Sequence, residues 1–190
     1  MITKIIEDKS FIGINFTEKT LDKAEYENCN FSNCNFFTSN LSKIKFTDCS
    51  FEYCDLSMAN ISNTALRKVN FNNCKMLGLH FEDCNKFLLE MEFNSCILNL
   101  SCFYKLELKN TKFVDCKLNE VDFTETKLSG SVFDSCDLLG AMFRNTNLEK
   151  VDFRTAYNYS IYPESNKIKK AKFSVNGLIG LLDSYDIVIE

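Results

Sequence analysis

The chain has 190 residues, with 22 lysines and arginines against 26 aspartates and glutamates, a formal net charge of −4. That balance argues against direct nucleic-acid binding, because no excess of cations exists to displace phosphate counterions. No apolar run approaches the ~18 residues of a membrane span, and the opening MITKIIEDKSF has no apolar core or small-residue cleavage site of a secretion signal. The ten cysteines therefore predict free thiols in a reducing cytoplasm, not a disulfide framework.

In chain order, residues 1–10 precede the clear pattern and are expected to form a cap over the first end of a core. From Phe11 the sequence repeats in fives. The repeat is cleanest over Thr111–Phe153, which reads TKFVD CKLNE VDFTE TKLSG SVFDS CDLLG AMFRN TNLEK VDF. Every fifth residue there is Phe or Leu, and the residue two before it is small. A period of five is neither the strand period of 2 nor the helix period of 3.6, so it demands a repeat architecture. The start is imperfect, with Lys9 and Lys19 at small positions. From Tyr26 the register holds through Phe31, Phe46, Leu66 and Phe81, and then slips. Leu88 and Phe93 read as the next centres, which places a two-residue insertion near 85–87 as a bulge or small loop inside one solenoid.

A period of twenty lies above the five. One column is Phe throughout, from Phe11 and Phe31 to Phe153 and Phe173, and another holds Cys34, Cys54, Cys74, Cys96, Cys116 and Cys136. The simplest geometry is a coil of four walls, five residues each, with turns stacked at strand spacing. About eight turns make a rod of roughly 40 Å. In each wall the large centre and the small residue two before it point inward, and the other three point outward.

After Phe153 the pattern frays at Asn158 and Pro163, where an irregular turn is expected, and Ile168 and Phe173 restore it. Residues 174–190 abandon it. Ser174 can cap a short helix over Val175–Leu182, weakened by Gly177 and Gly180, and Ile187–Ile189 read as a final strand. Such an element would cover the last coil.

These residues resemble the pentapeptide-repeat family, with its small–polar–(Leu/Phe)–any–any consensus, over roughly residues 11–173. The resemblance implies an all-β fold, a right-handed quadrilateral β-helix with a short C-terminal capping helix. The tail is similar to the ends of the quinolone-, microcin- and albicidin-resistance members. In those proteins such an end forms a head-to-head dimer, and the rod binds DNA gyrase or topoisomerase IV, its acidic surface thought to mimic DNA. By that resemblance Leu178, Leu181, Leu182, Ile187 and Ile189 form a homodimer interface. Two features depart from the resistance group: the only mid-coil insertion is the two residues near Lys86, and the net charge is modest for a DNA mimic.

No constellation points to catalysis or to a cofactor. Cys29, Cys34, Cys49, Cys54, Cys74, Cys84, Cys96, Cys116 and Cys136 all take the small inward position, where a free cysteine packs as a small apolar residue. Their spacing follows the repeat and not a zinc-binding pattern. Cys102 points outward and is a candidate reactive thiol. His80, the only histidine, also points outward with no triad partners evident.

Function then falls to the outward residues. Beside the phenylalanine column lie Glu52, Glu92, Asp115, Asp134 and Asp152, which could lie against a cationic DNA-binding saddle. One wall is richer in base, from Lys45 and Arg67 to Lys167, Lys169 and Lys170. The wall outside the cysteine column carries Phe37, Met58, Leu77, Ile97, Leu100, Leu139, Tyr157 and Tyr159, a candidate apolar stripe for a partner. Two readings follow. One is a dimeric, non-enzymatic cytoplasmic protein acting on a type II topoisomerase and protecting it from a quinolone or peptide toxin. The other is a structural or regulatory scaffold for an unrelated protein partner, captured by the apolar wall.

Overall fold

The computed structural model describes residues 4–185 together with 187 and 188. Eleven strands of three or four residues form two parallel sheets. One contains Ile5–Glu7, Glu25–Glu27, Lys45–Thr47 and Ala65–Arg67. The other runs from Ser10–Ile12 through seven strands to Val132–Asp134. Pairing keeps the twenty-residue register, with Phe11 opposite Phe31 and Phe113 opposite Phe133.

Seven strands in one ladder make six steps, so the regular solenoid has about six turns, fewer than the eight expected. Beyond Val132–Asp134 the stacking continues only through isolated bridges, such as Val132 with Asp152 and Asp152 with Lys172. The other walls close as turns in which the centre carbonyl accepts the amide three residues on, as Leu56 does from Ala59 at 3.1 Å. A wall that bends there cannot extend a continuous ladder.

Phenylalanine rings fill the middle. Phe113 and Phe133 stack at 4.8 Å and 3°, and Phe133 and Phe153 at 5.0 Å and 7°. Such small angles mean little rotation from coil to coil, whereas ordinary sheets twist by about 20° per strand. The phenylalanine wall is therefore nearly flat in this part of the rod, and its widest step is Phe51 to Phe71 at 20°. Rings of adjacent walls meet edge-on, as Phe113 and Phe123 do at 81°.

The small inward position also hydrogen-bonds. Cys54 Sγ donates to the Phe31 carbonyl and Cys74 Sγ to that of Phe51, at 3.3 and 3.4 Å. Thr126 and Ser131 hydroxyls do the same to Phe103 and Leu108, at 2.9 and 2.7 Å. All nine inward cysteines are buried, and burial pushes the Cys49 thiol up to about 11. Packing and a buried carbonyl explain the cysteine column.

Several expectations need correction. Residues 4–10 are not a separate cap, because Ile5–Glu7 pairs in register with Glu25–Glu27 and forms part of a coil. Leu88 is not a core centre: it is 63% exposed at φ 57°. The inserted residues push Lys86, Phe87 and Leu88 out as a bulge, and Leu89 packs against the core instead. Tyr159 points inward and is 6% exposed. Residues 187 and 188 carry no strand, and Ile189 lies outside the described residues.

The tail folds as a 3-10 turn at Asn176–Leu178, a helical turn at Ile179–Leu182 and another 3-10 turn at Asp183–Tyr185. The Ser174 hydroxyl accepts the Gly177 amide at 3.1 Å, close to the expected cap. The two glycines are requirements of packing. A Cβ at Gly177 would come within 2.0 Å of the Tyr159 hydroxyl, and one at Gly180 within 2.2 Å of the Tyr159 carbonyl. They let the tail lie directly on Tyr159.

Candidate docking faces

The cysteine wall carries a contiguous apolar area over neighbouring coils. Phe37, Met58, Leu77 and Leu100 are exposed, and Ile97 is half-buried. Ser57 interrupts the row but is buried, and its hydroxyl accepts the Leu77 amide at 3.3 Å. Met58, Gly78 and Leu100 occupy the same corner in successive coils, linked through Met58 N–H to Leu77 O and Gly78 N–H to Asn99 O. A Cβ at Gly78 would approach Met58 Sδ to 2.7 Å, so the glycine lets the thioether lie flat over it. Both Met58 and Leu100 hold left-handed backbone, φ 57° and 62°. That conformation costs a bulky side chain and is more often taken by Asn, Asp or Gly. Leu139 and Tyr157 form a second exposed group farther along. The coil bearing Lys117, Asn119 and Glu120 separates the two, so the stripe is broken.

The phenylalanine wall is less acidic than its carboxylates suggest. Glu92 pairs with Lys112 at 3.0 Å. Asp152 pairs with Arg154 at 2.8 Å and Lys172 at 3.5 Å, and the Arg154 hydrogen bonds hold its carboxyl down to about 2. Asp115 accepts the Ser95 hydroxyl, and Asp134 accepts those of Thr155 and Ser135. Glu52 is half-buried and has no ion pair among the described residues.

The tail presents Val175, Leu178, Ile179, Leu182 and Ile187 to solvent, at 83%, 45%, 57%, 37% and 54% exposure. Leu181 packs against the core and belongs to the cap. Val175 and Ile179 are not singled out by the repeat, because they lie outside it.

The remaining chemistry is quiet. Burial and the nearby Glu82 push the Cys102 thiol up to about 12, which removes its expected reactivity. His80 Nδ1 lies 2.9 Å from Glu82 on the surface. Among the described residues no group of three His, Cys, Asp or Glu side chains could hold a metal ion, and no helix is long and apolar enough to cross a membrane.

The bulge is legible in the sequence only as a gap of seven from Phe81 to Leu88. It exposes Phe87 by 65%, with the Arg67 guanidinium 5.5 Å above its ring. A groove of about 490 Å³ beside it is lined by Leu88, Leu89, Glu107, Lys109 and Asn110.

A β-solenoid whose walls repeat every five residues and stack every twenty defines a class of repeat protein. The profile described as "Pentapeptide repeat region" matches residues 24–87 and 86–157, and the chain belongs to the pentapeptide-repeat family. Its fold is similar to that of QnrB1, a plasmid-mediated fluoroquinolone resistance protein. A trypsin-treated variant of that protein matches with TM-score 0.77 and 17% identity, over 98% of this chain and 92% of that one. The full-length form matches with TM-score 0.65 and 16% identity, over 96% and 100%. HetL from Nostoc sp. strain PCC 7120, a pentapeptide repeat protein involved in heterocyst differentiation regulation, matches with TM-score 0.53 and 14% identity, over 92% and 88%. No curated protein sequence matches the chain significantly.

Proposed function

We propose that this chain is a non-enzymatic rod that binds a protein partner through the apolar part of its cysteine wall. The observation that carries this reading is the pair Met58 and Leu100. Both are exposed by more than half while holding left-handed backbone. The left-handed backbone is common to the coil corners, which elsewhere carry residues such as Lys68, Glu120 and Lys150; what sets Met58 and Leu100 apart is exposed apolar surface, which gains nothing within the chain and suits a contact surface.

The resemblance to the resistance proteins makes a type II topoisomerase the first partner to test, with the tail as a homodimer contact through Leu178, Ile179 and Leu182. DNA mimicry along the phenylalanine wall has weaker support, since Glu92 and Asp152 are already matched by cations. The test is a gyrase supercoiling assay with and without a quinolone. Micromolar protein should change supercoiling or restore it, and Met58→Asp with Leu100→Asp should weaken the effect by about tenfold or more, the loss of a buried hot-spot pair. A wild-type protein without effect in either arm removes the topoisomerase. A scaffold for another partner is the second reading, favoured by the same apolar area and by the ion-paired acidic wall. It predicts that the double variant loses that partner while supercoiling is never affected.

A further inference from the structure

The first coil leaves a sheet edge open. Ile5–Glu7 and Ser10–Ile12 are the end strands of the two sheets. Toward the second coil, the Lys4 carbonyl accepts the Glu25 amide at 2.9 Å and the Asp8 amide donates to the Glu27 carbonyl at 3.1 Å. The Lys9 carbonyl accepts the Asn30 amide, and the Gly13 amide donates to the Ser32 carbonyl, both at 2.9 Å. Backbone groups alternate in direction along a strand. The N–H and C=O of Ile5, Glu7, Ser10 and Ile12 therefore point out of the rod end, with no backbone partner among the described residues. The side chains there depart from the columns behind them. Ile5 is 54% exposed in front of Glu25 and Lys45, and Ile12 is 69% exposed in front of Ser32 and Glu52. Lys9 takes a small inward position and is nevertheless exposed. An open edge that carries exposed isoleucines is the kind that pairs with a further strand.

We propose that two copies of this chain pair end to end through these strands, first coil against first coil. Place a two-fold axis across the rod end, along the diagonal through the Asp8–Lys9 corner. Ile5–Glu7 of each copy then runs antiparallel to the second strand of the other. Ile5 faces Ile12 of the partner subunit, Ile6 faces Phe11 of the partner subunit, Glu7 faces Ser10 of the partner subunit and Asp8 faces Lys9 of the partner subunit. The backbone fits this register. An antiparallel ladder alternates residue pairs that exchange two hydrogen bonds with pairs that exchange none. Ile5 with the partner's Ile12, and Glu7 with the partner's Ser10, are the pairs whose N–H and C=O point outward. Two such ladders supply about eight new hydrogen bonds. A shift of one residue would set outward groups against inward ones and supply none.

The side chains agree with the backbone. The charged residues of the edge are Lys4, Glu7, Asp8 and Lys9. Lys4 falls opposite Gly13 of the partner subunit and keeps Asp22 of its own chain at 2.6 Å. Glu7 meets a neutral serine. Asp8 and Lys9 have no ion pair among the described residues, and the axis matches them to each other twice. No like charges oppose, as a self-complementary two-fold contact requires. Phe11 ends the ring stack, on Phe31 at 4.7 Å and 6°, and it and Ile6 are half-buried. Pairing sets Ile6 of each copy against the other's ring and joins the two cores. Ile5 and the partner's Ile12 form a β-branched cross-strand pair. A single extended segment of another protein cannot follow both strands around the corner between them, whereas a second copy covers both at once. The coil's rise sets the other two walls back, so the contact is small and a weak, concentration-dependent dimer is expected. It lies at the opposite end of the rod from the tail and leaves the cysteine wall free.

The test is light scattering on the full chain from about 5 to about 200 µM, a range that covers micromolar dissociation constants. Lys9→Asp alone gathers carboxylates about the axis, and Asp8→Lys alone gathers ammonium groups. Each should weaken self-association by about tenfold or more. Mixed in equal amounts, the two variants should pair with each other. Both positions are exposed, and Lys43 and Lys68 show that a corner in left-handed backbone accepts lysine. Circular dichroism melting on each variant identifies any misfolded one, and Ile12→Lys, which sets a cation against the partner's Ile5, then serves in its place. Every measurement is repeated with Ile179→Glu, which removes the tail contact, and the dimer should persist there. The proposal is overturned by a wild-type monomer across the range, by a dimer indifferent to the charge reversals, or by reversed variants that fail to pair when mixed. A dimer lost with Ile179→Glu and unmoved by charge reversal is a tail dimer, and overturns the first-coil pairing alone.

Discussion

The basic wall before the bulge and the same wall after it solve one problem in two ways. Before it, the wall is extended: Glu25–Glu27 and Lys45–Thr47 are strands, and the corners that follow hold Cys29 and Cys49. After it, the wall bends at Leu108 and Leu128, whose carbonyls accept the amides of Thr111 and Ser131. The corner residue has changed with the geometry. Cys49 Sγ reaches the Tyr26 carbonyl at 3.3 Å, whereas Ser131 Oγ reaches that of Leu108 at 2.7 Å. At these two corners the extended wall takes the longer C–S bond and larger atom and the bent wall takes a hydroxyl, whereas Val69 and Val151 fill the same column after an extended and a bent wall respectively.

What the two halves share is the phenylalanine stack, and removing a ring should have the largest effect. Phe51→Ala in the first half and Phe133→Ala in the second each delete a fully buried ring. Each should cost about 3–5 kcal/mol in a urea titration. The stack crosses the bulge unbroken, Phe71 on Phe93 at 5.4 Å and 10°. Both variants should therefore unfold in one transition. Two separated transitions would make the bulge a boundary between folding units.

The match at these two corners can be tested by exchange. Cys49→Ser shrinks the side chain in an extended corner and pulls the donor away from Tyr26, at about 1–2 kcal/mol. Ser131→Cys forces a larger atom into a bent corner, at about 1–2 kcal/mol for overpacking. Equal stability of wild type and both variants in urea would mean that corners are read by size alone.

The inner half of this architecture is written in the sequence because every coil repeats the same constraint. Phe113 and Cys116 sit where they do because a large centre and a small corner are needed in each five, and stacking every twenty residues makes both visible. The bulge is half legible. A seven-residue gap marks it, but nothing in the pattern says whether Leu88 or Leu89 turns inward, since both are apolar and the choice depends on where the extra chain length is taken up. Tyr159 escapes the count for a related reason. It occupies an outward position by number, and only the close approach of Gly177 and Gly180 turns it into the core under the tail. Outward residues escape the repeat altogether. Glu92 and Asp152 look like a charged face in sequence, and become matched ion pairs only when the coil brings Lys112 and Lys172 alongside.

That last pair gives the smallest and most directional expectation. The lysines toward the end of the basic wall have no ion pair among the described residues, while on the phenylalanine wall Asp152 holds two cations at once. Its folded carboxyl is depressed to about 2, chiefly by the Arg154 hydrogen bonds, against ~3.9 in an unfolded chain. A depressed carboxylate contributes stability in full above the unfolded value and loses it as pH falls through the folded one. Arg154 is largely exposed, with 62% of its side chain accessible, so screening limits the gain to about 1 kcal/mol or less. Asp152→Asn should be less stable than wild type by that amount at about pH 6, and the difference should close between ~3.9 and about 2. Urea midpoints measured across that range decide it. A constant difference down to the lowest pH would mean that Asp152 acts by packing, and that the second half of the rod gains nothing from its ion pairs.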